Sequence, residues 1–229
     1  MSEQPRGGGP ESVRRAPEPQ RHEELVDALL RGAAALREAG VPFMLCGSMA
    51  CWARGGPEPF TKDVDFCVRP DDAERALQAL ADAGMTIDRP PEGWLYKAWD
   101  QEVLIDLLFC PANVPVTDKA FEHADELLVM SVPMHVAAID DIMATKLLAL
   151  NEDSIDFKQL LQIARALREQ IGWAPLLKRT RDSPYALAFF TLVEQLGIVE
   201  GDDLAGADDV PRHALPAPLP EHLDAPQGA

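Results

Sequence analysis

Leu45-Cys46-Gly47-Ser48, followed by Thr61-Lys62-Asp63-Val64-Asp65-Phe66, is the stretch whose reading decides the fold. A short apolar segment runs into a small-residue turn, and an acid-x-acid pair then opens a second apolar segment. A third acid, Asp106, stands alone inside Val103-Leu104-Ile105-Asp106-Leu107-Leu108-Phe109. Residues i and i+2 on a strand project from one face, about 6.5–7 Å apart at the backbone. Side chains from Asp63 and Asp65 can therefore converge on metal ions about 3.5–4 Å apart, the spacing of two-metal phosphoryl-transfer sites.

Asp63-x-Asp65 alone is equally satisfied by a solvated strand face. Asp106 shifts the balance, because its neighbours on both strand faces are apolar. A carboxylate buried there without a partner costs several kcal/mol or gives up its charge. A hard cation shared with Asp63 and Asp65 removes that cost, and Mg²⁺, with Mn²⁺ as the alternative, suits carboxylates plus phosphate oxygens. Gly47-Ser48 is compatible with a plain strand-to-helix turn. It also fits a phosphate-holding turn, since glycine lets the backbone approach a ligand and the following helix points amide donors at an anion.

Working outward, residues 21–39 carry Leu25, Leu29 and Leu36 at helical spacing and stop at Gly40. Residues 43–46 read as a strand, 49–54 as a short helix, and 63–68 as a second strand. A helix bearing Ala73, Ala76, Leu77 and Leu80 follows, with Asp71 or Asp72 as cap. Residues 102–109 and 127–132 read as the third and fourth strands. From about Val136 the periodicity is helical throughout, with Asp153 or Ser154 capping the helix that bears Phe157, Leu160, Ile163 and Leu167. Two more helices are expected at 174–181 and 184–197. The expected fold class is α/β (α+β), a small mixed sheet flanked by helices and followed by a helical C-terminal part. The organisation this implies is a tail at 1–20, a catalytic core at 21–133, a helical part at 134–200 and an acidic, Pro-rich tail at 201–229. Both tails have the composition of disordered segments.

Composition narrows the class. The chain has 229 residues, 47% of them hydrophobic, enough for one substantial domain. No apolar run approaches the roughly 20 residues that span a bilayer, so no membrane role is expected. The four cysteines form no CxxC pair and three lie in strand-like segments, which predicts buried, reduced thiols and a cytoplasmic setting. The formal charge is −17. Residues 1–21 carry four basic and three acidic groups, and residues 201–229 carry six acidic and one basic, leaving −13 on the body. Such a body repels nucleic-acid phosphates at long range and favours cationic partners.

The ordered set of Leu45-Cys46-Gly47-Ser48, Asp63-Val64-Asp65 and Ile105-Asp106-Leu107 resembles the DNA polymerase β-like nucleotidyltransferase superfamily over about residues 40–110. Cys46 departs from members that have two glycines in the turn. The resemblance implies transfer of an NMP from an NTP to an acceptor hydroxyl, with pyrophosphate leaving. It also implies Asp63, Asp65 and Asp106 as metal ligands, Asp106 in addition as general base, and Gly47 and Ser48 at the nucleotide phosphates. Downstream, Lys146 and Asp156 are similar to a Lys and a following Asp in abortive-infection type nucleotidyltransferase toxins. That pair implies a nucleotide-binding role for both residues and a tRNA acceptor, and the acidic tail at 201–229 could bind a basic partner such as an antitoxin. Aminoglycoside and lincosamide nucleotidyltransferases share the front-half layout and imply a small hydroxylated antibiotic as acceptor. ATP binding is expected, with the NTP used left open. A different class, a nucleotide- or partner-binding module that has lost catalysis, is disfavoured by retention of all three acids. Arg54, Lys62 and Arg69 flank the acids and could touch phosphate or be solvated flanking charges. Trp94, Tyr96 and Trp99 could line an acceptor pocket or pack as core, and His135 is expected to be structural.

Overall fold

Val64 and Phe66 are fully buried, and the helix that covers them fixes one layer of the molecule. In the computed structural model, which describes residues 18–59 and 63–204, that helix is α1 (Glu18–Glu38). Its Leu25, Leu29 and Leu36 face inward at the spacing the sequence predicts. Gly32 lets α1 lie close to the sheet, because a Cβ there would stand 2.9 Å from the Phe66 ring. The predicted tails at 1–20 and 201–229 fall almost wholly outside the described residues, as does Lys62. The stretch Gly201–Leu204 is a short helix where the sequence suggested tail.

β1 (Met44–Cys46), α2 (Gly47–Ala53) and β2 (Asp63–Cys67) follow in the order the sequence gives. α3 (Ala73–Asp82) lies beside α1 on the same sheet face and buries Ala73, Ala76, Leu77 and Leu80. Asp72 sits at its N-cap position, but its carboxylate pairs with Arg75 at 2.7 Å instead of capping the helix.

The sheet has seven strands among the described residues, against four expected. The additional ones are β3 (Thr86–Asp88) and β4 (Leu95–Asp100), which extend β5 (Val103–Leu108) to one edge. At the other edge, the single strand expected at 127–132 is a hairpin of β6 (Asp125–Val129) and β7 (Val132–Val136). Met130 and Ser131 make its turn with φ of 49° and 68°, a tight reversal that matches strand twist without the usual Gly or Asn. The strand order is β3-β4-β5-β2-β1-β7-β6, with β2 parallel to β5, β1 parallel to β7 and the remaining pairs antiparallel. This is the mixed sheet of the expected fold class.

The helical part comprises α5 (Ile139–Leu148), α6 (Phe157–Leu167), α7 (Trp173–Thr180) and α8 (Pro184–Gln195), after the short α4 (Asp118–His123). Phe189 meets Phe157 and Phe190 with ring centroids 5.9 and 6.0 Å apart, and Trp173 packs edge-on to Phe190. α6 begins later than expected. Its N-cap is Asp156, whose carboxylate accepts from the Lys158 backbone N–H at 2.9 Å, and neither Asp153 nor Ser154 caps it.

Candidate active site

The parallel pairing of β2 with β5 sets Asp65 directly opposite Asp106. Asp63 lies two residues before Asp65 on the same strand face, so all three carboxylates meet on the sheet face away from α1. Each offers an oxygen, and these oxygens lie within 4.8 Å of one another. The convergence expected from the sequence is therefore present.

Three carboxylates so close repel one another. Burial first, and then Asp63 and Asp106, push the Asp65 carboxyl up to about 7, against the opposing pull of Lys146 and Lys97. Burial also raises Asp106, and Lys97 counters it. A cluster of hard oxygen donors whose negative charge Lys146 and Lys97 only partly offset suits a small divalent cation. Asp63, Asp65 and Asp106 are the residues that could hold one.

Lys97 is a site residue the sequence reading missed. Its ammonium donates to Asp106 Oδ1 at 3.1 Å, from the position on β4 directly opposite Asp106. The partner that Asp106 needs in an apolar strand is thus partly supplied by the protein.

Gly47 opens α2 with φ of +62°. A Cβ at this position would overlap the Asp65 carboxylate far inside van der Waals contact, so the turn and the acid fit only because the side chain is absent. Cys46, the residue before it, is the extended N-cap of α2, and its thiol donates to the Asp65 carbonyl at 3.3 Å. The Cys67 thiol donates to Cys46 Sγ at 2.8 Å, and burial holds the Cys46 thiol well above its ordinary range, hence neutral. Both cysteines are free and buried, as the sequence suggests.

Ser48 is buried, and its hydroxyl accepts from Gln159 Nε2 at 3.0 Å. The carbonyl of the same Gln159 side chain accepts from Lys146 Nζ at 3.2 Å. Lys146 and Ser48 are thus joined through Gln159, which the sequence reading did not single out. Asp156 is exposed at the head of α6, one turn before Gln159, where it caps the helix.

The flanking candidates separate. Arg54 is turned inward, donating to the Ala137 and Val136 carbonyls and pairing with Asp125 at 2.8 Å. Arg69 pairs with Asp118 and lies over the Phe121 ring, which also meets His135. Tyr96 packs on Phe109. Trp94 is exposed. Trp99 is half-buried and shares the strand face of Lys97, two residues away.

Comparison with solved structures defines the class of fold. The chain superposes on the antibiotic-resistance factor ANT(2'')-Ia in solution with a TM-score of 0.53 and 13% identity, covering 77% of this chain and 96% of that one. The crystal structure of ANT(2'')-Ia in complex with adenylyl-2''-tobramycin gives a TM-score of 0.53 at 12% identity, covering 73% and 97% respectively. No protein-family model and no curated relative matches the sequence. The fold is that of the nucleotidyltransferases. Among the described residues, no helix is long and apolar enough to cross a membrane.

Proposed function

We propose that the protein is a metal-dependent nucleotidyltransferase that moves an NMP from an NTP to an acceptor hydroxyl with release of pyrophosphate. The observation that carries this reading is the meeting of Asp63, Asp65 and Asp106 within 4.8 Å beside a turn that excludes a side chain at Gly47. Mg²⁺, or Mn²⁺, held by these three acids would supply the charge that offsets the phosphate oxygens as the bond to pyrophosphate breaks.

The remaining work falls to the chain. The Gly47 and Ser48 turn binds the β- and γ-phosphates through backbone N–H groups. The Ser48 hydroxyl, accepting from Gln159, keeps its own proton free to donate to a phosphate oxygen. Lys146 neutralises the triphosphate, and Asp156 fixes the start of the helix from which Gln159 reaches it. Asp106 takes the proton from the attacking acceptor hydroxyl, in line with the leaving pyrophosphate.

The acceptor is proposed to be a cationic, hydroxylated small molecule. The −13 body charge favours cations over a polyanionic tRNA. ANT(2'')-Ia, which shares the fold, has been captured with adenylyl-2''-tobramycin. A tRNA acceptor with an antitoxin partner is the alternative on the toxin-like branch. The cytoplasm, where NTPs are abundant and thiols stay reduced, is the proposed setting.

Incubation with labelled NTPs, Mg²⁺ and candidate acceptors tests this reading. Wild type should release pyrophosphate and label an acceptor, and Asp65→Ala should lose both by about 10²–10³-fold, the scale of removing a transition-state charge stabiliser. Equal release from both proteins would reject it.

A further inference from the structure

Four adjacent strands line up one residue each across the site: Lys97 on β4, Asp106 on β5, Asp65 on β2 and Cys46 on β1. The row therefore runs from a cation through two acids to a neutral thiol. Lys97 contacts Asp106 Oδ1 at 3.1 Å while remaining 28% exposed, against 13% for Asp106. Its flexible stem can swing the ammonium to water without moving the sheet.

We propose that Lys97 is a resident counter-ion of the acid cluster, one that a divalent cation must outcompete, and that it thereby lowers the cluster's affinity for metal in the absence of nucleotide. This rests on the reading of Asp63, Asp65 and Asp106 as the metal-holding set. The physical basis is charge. An ammonium at Asp106 lies within a few ångströms of any ion the cluster takes, and the two repel through partly buried, low-dielectric surroundings. Full use of Asp106 by an ion requires Lys97 to let go of Oδ1. Metal alone is then held weakly, and it is held firmly when NTP phosphates arrive with it and add their own negative charge. Lys97 acts through Asp106 and is a positioning residue, distinct from the groups proposed to touch substrate.

The test is Mn²⁺ binding to the full chain without nucleotide, by calorimetry or by electron paramagnetic resonance of free Mn²⁺. Wild type, Lys97→Met, Lys97→Arg and Asp65→Ala are compared. Lys97→Met should bind Mn²⁺ roughly tenfold more tightly than wild type, from removal of one nearby like charge. Lys97→Arg, which restores the cation, should match wild type. A residue that merely braced the strand would weaken binding when lost. Equal or weaker binding in Lys97→Met therefore overturns the proposal. Lys97→Gln, which keeps a hydrogen-bond donor toward Asp106, carries the same comparison should Lys97→Met melt at the working temperature. Mn²⁺ binding that is indifferent to Asp65→Ala would instead overturn the metal-site reading, so the two failures are told apart.

Discussion

The Asp65 carboxylate occupies the space that a Cβ on Gly47 would fill. The turn that ends β1 and the acid in the middle of β2 are thus built around one another, with Gly47 in the left-handed region at φ +62°. Gly47→Ala carries two penalties, the strain of a left-handed alanine, about 1–2 kcal/mol, and displacement of Asp65. A 1 Å misplacement of a reacting group costs on the order of 10²-fold. Gly47→Ala should therefore lose about that much pyrophosphate release while still showing a cooperative melt at lower temperature. Wild-type turnover would separate the glycine from the chemistry.

Metal-free stability should depend on Asp65 in the sense opposite to an ordinary salt-bridged acid. The folded-state value is raised to about 7 from 3.8. The folded protein therefore keeps a proton that the unfolded chain releases, and stability is lost as pH rises between those values. In EDTA, Asp65→Asn should gain stability over wild type in urea unfolding at pH 8 and show no such gain at pH 4. Mg²⁺ should narrow the difference at pH 8 by neutralising the wild-type cluster. A wild type that gains metal-free stability from pH 4 to pH 7 relative to Asp65→Asn would contradict this.

Gln159 joins two residues proposed to hold the nucleotide, one end of its amide to Lys146 and the other to Ser48. Gln159→Leu removes both hydrogen bonds and leaves the ammonium and the hydroxyl without their bridge. The expected result is a roughly tenfold rise in KM for NTP with a smaller change in kcat, the pattern of lost ground-state binding. A fall in kcat at constant KM would place Gln159 at the reacting centre instead.

Asp156 caps the helix that delivers Gln159. Asp156→Ala should cost about 1 kcal/mol of stability, and Asp156→Asn, which can also cap, close to nothing. Thermal melts resolve the two, and KM for NTP should rise with Asp156→Ala alone. An unchanged melt in Asp156→Ala would remove the capping role.

The strands that carry the three acids were legible because β2 alternates cleanly and β5 is an apolar run broken by one acid. Val64 and Phe66 alternate with Asp63 and Asp65, and Asp106 is conspicuous as the acid of an otherwise apolar strand. Lys97 was missed because β4 was. Leu95-Tyr96-Lys97-Ala98-Trp99-Asp100 puts a small alanine at its most buried position and a lysine beside it, which breaks the alternation by which a strand is recognised. The β6–β7 turn was hidden for a different reason, since Met130 and Ser131 adopt a conformation normally advertised by Gly or Asn. Gln159 is a neutral polar residue on an amphipathic helix, and nothing local separates it from a solvated one. Its role depends on Lys146 and Ser48, the latter 111 residues away in the chain, and that contact exists only after folding.

The most direct measurement is a crystal structure with Mn²⁺ and a non-hydrolysable ATP analogue, with the ion placed by its anomalous signal. The expected result is an Mn²⁺ peak within coordination distance of carboxylate oxygens from Asp63, Asp65 and Asp106, with the analogue's phosphates against Gly47 and Ser48. A peak elsewhere, or a carboxylate of Asp106 that stays turned to Lys97 while the nucleotide is bound at another face, would contradict the assignment of the active site.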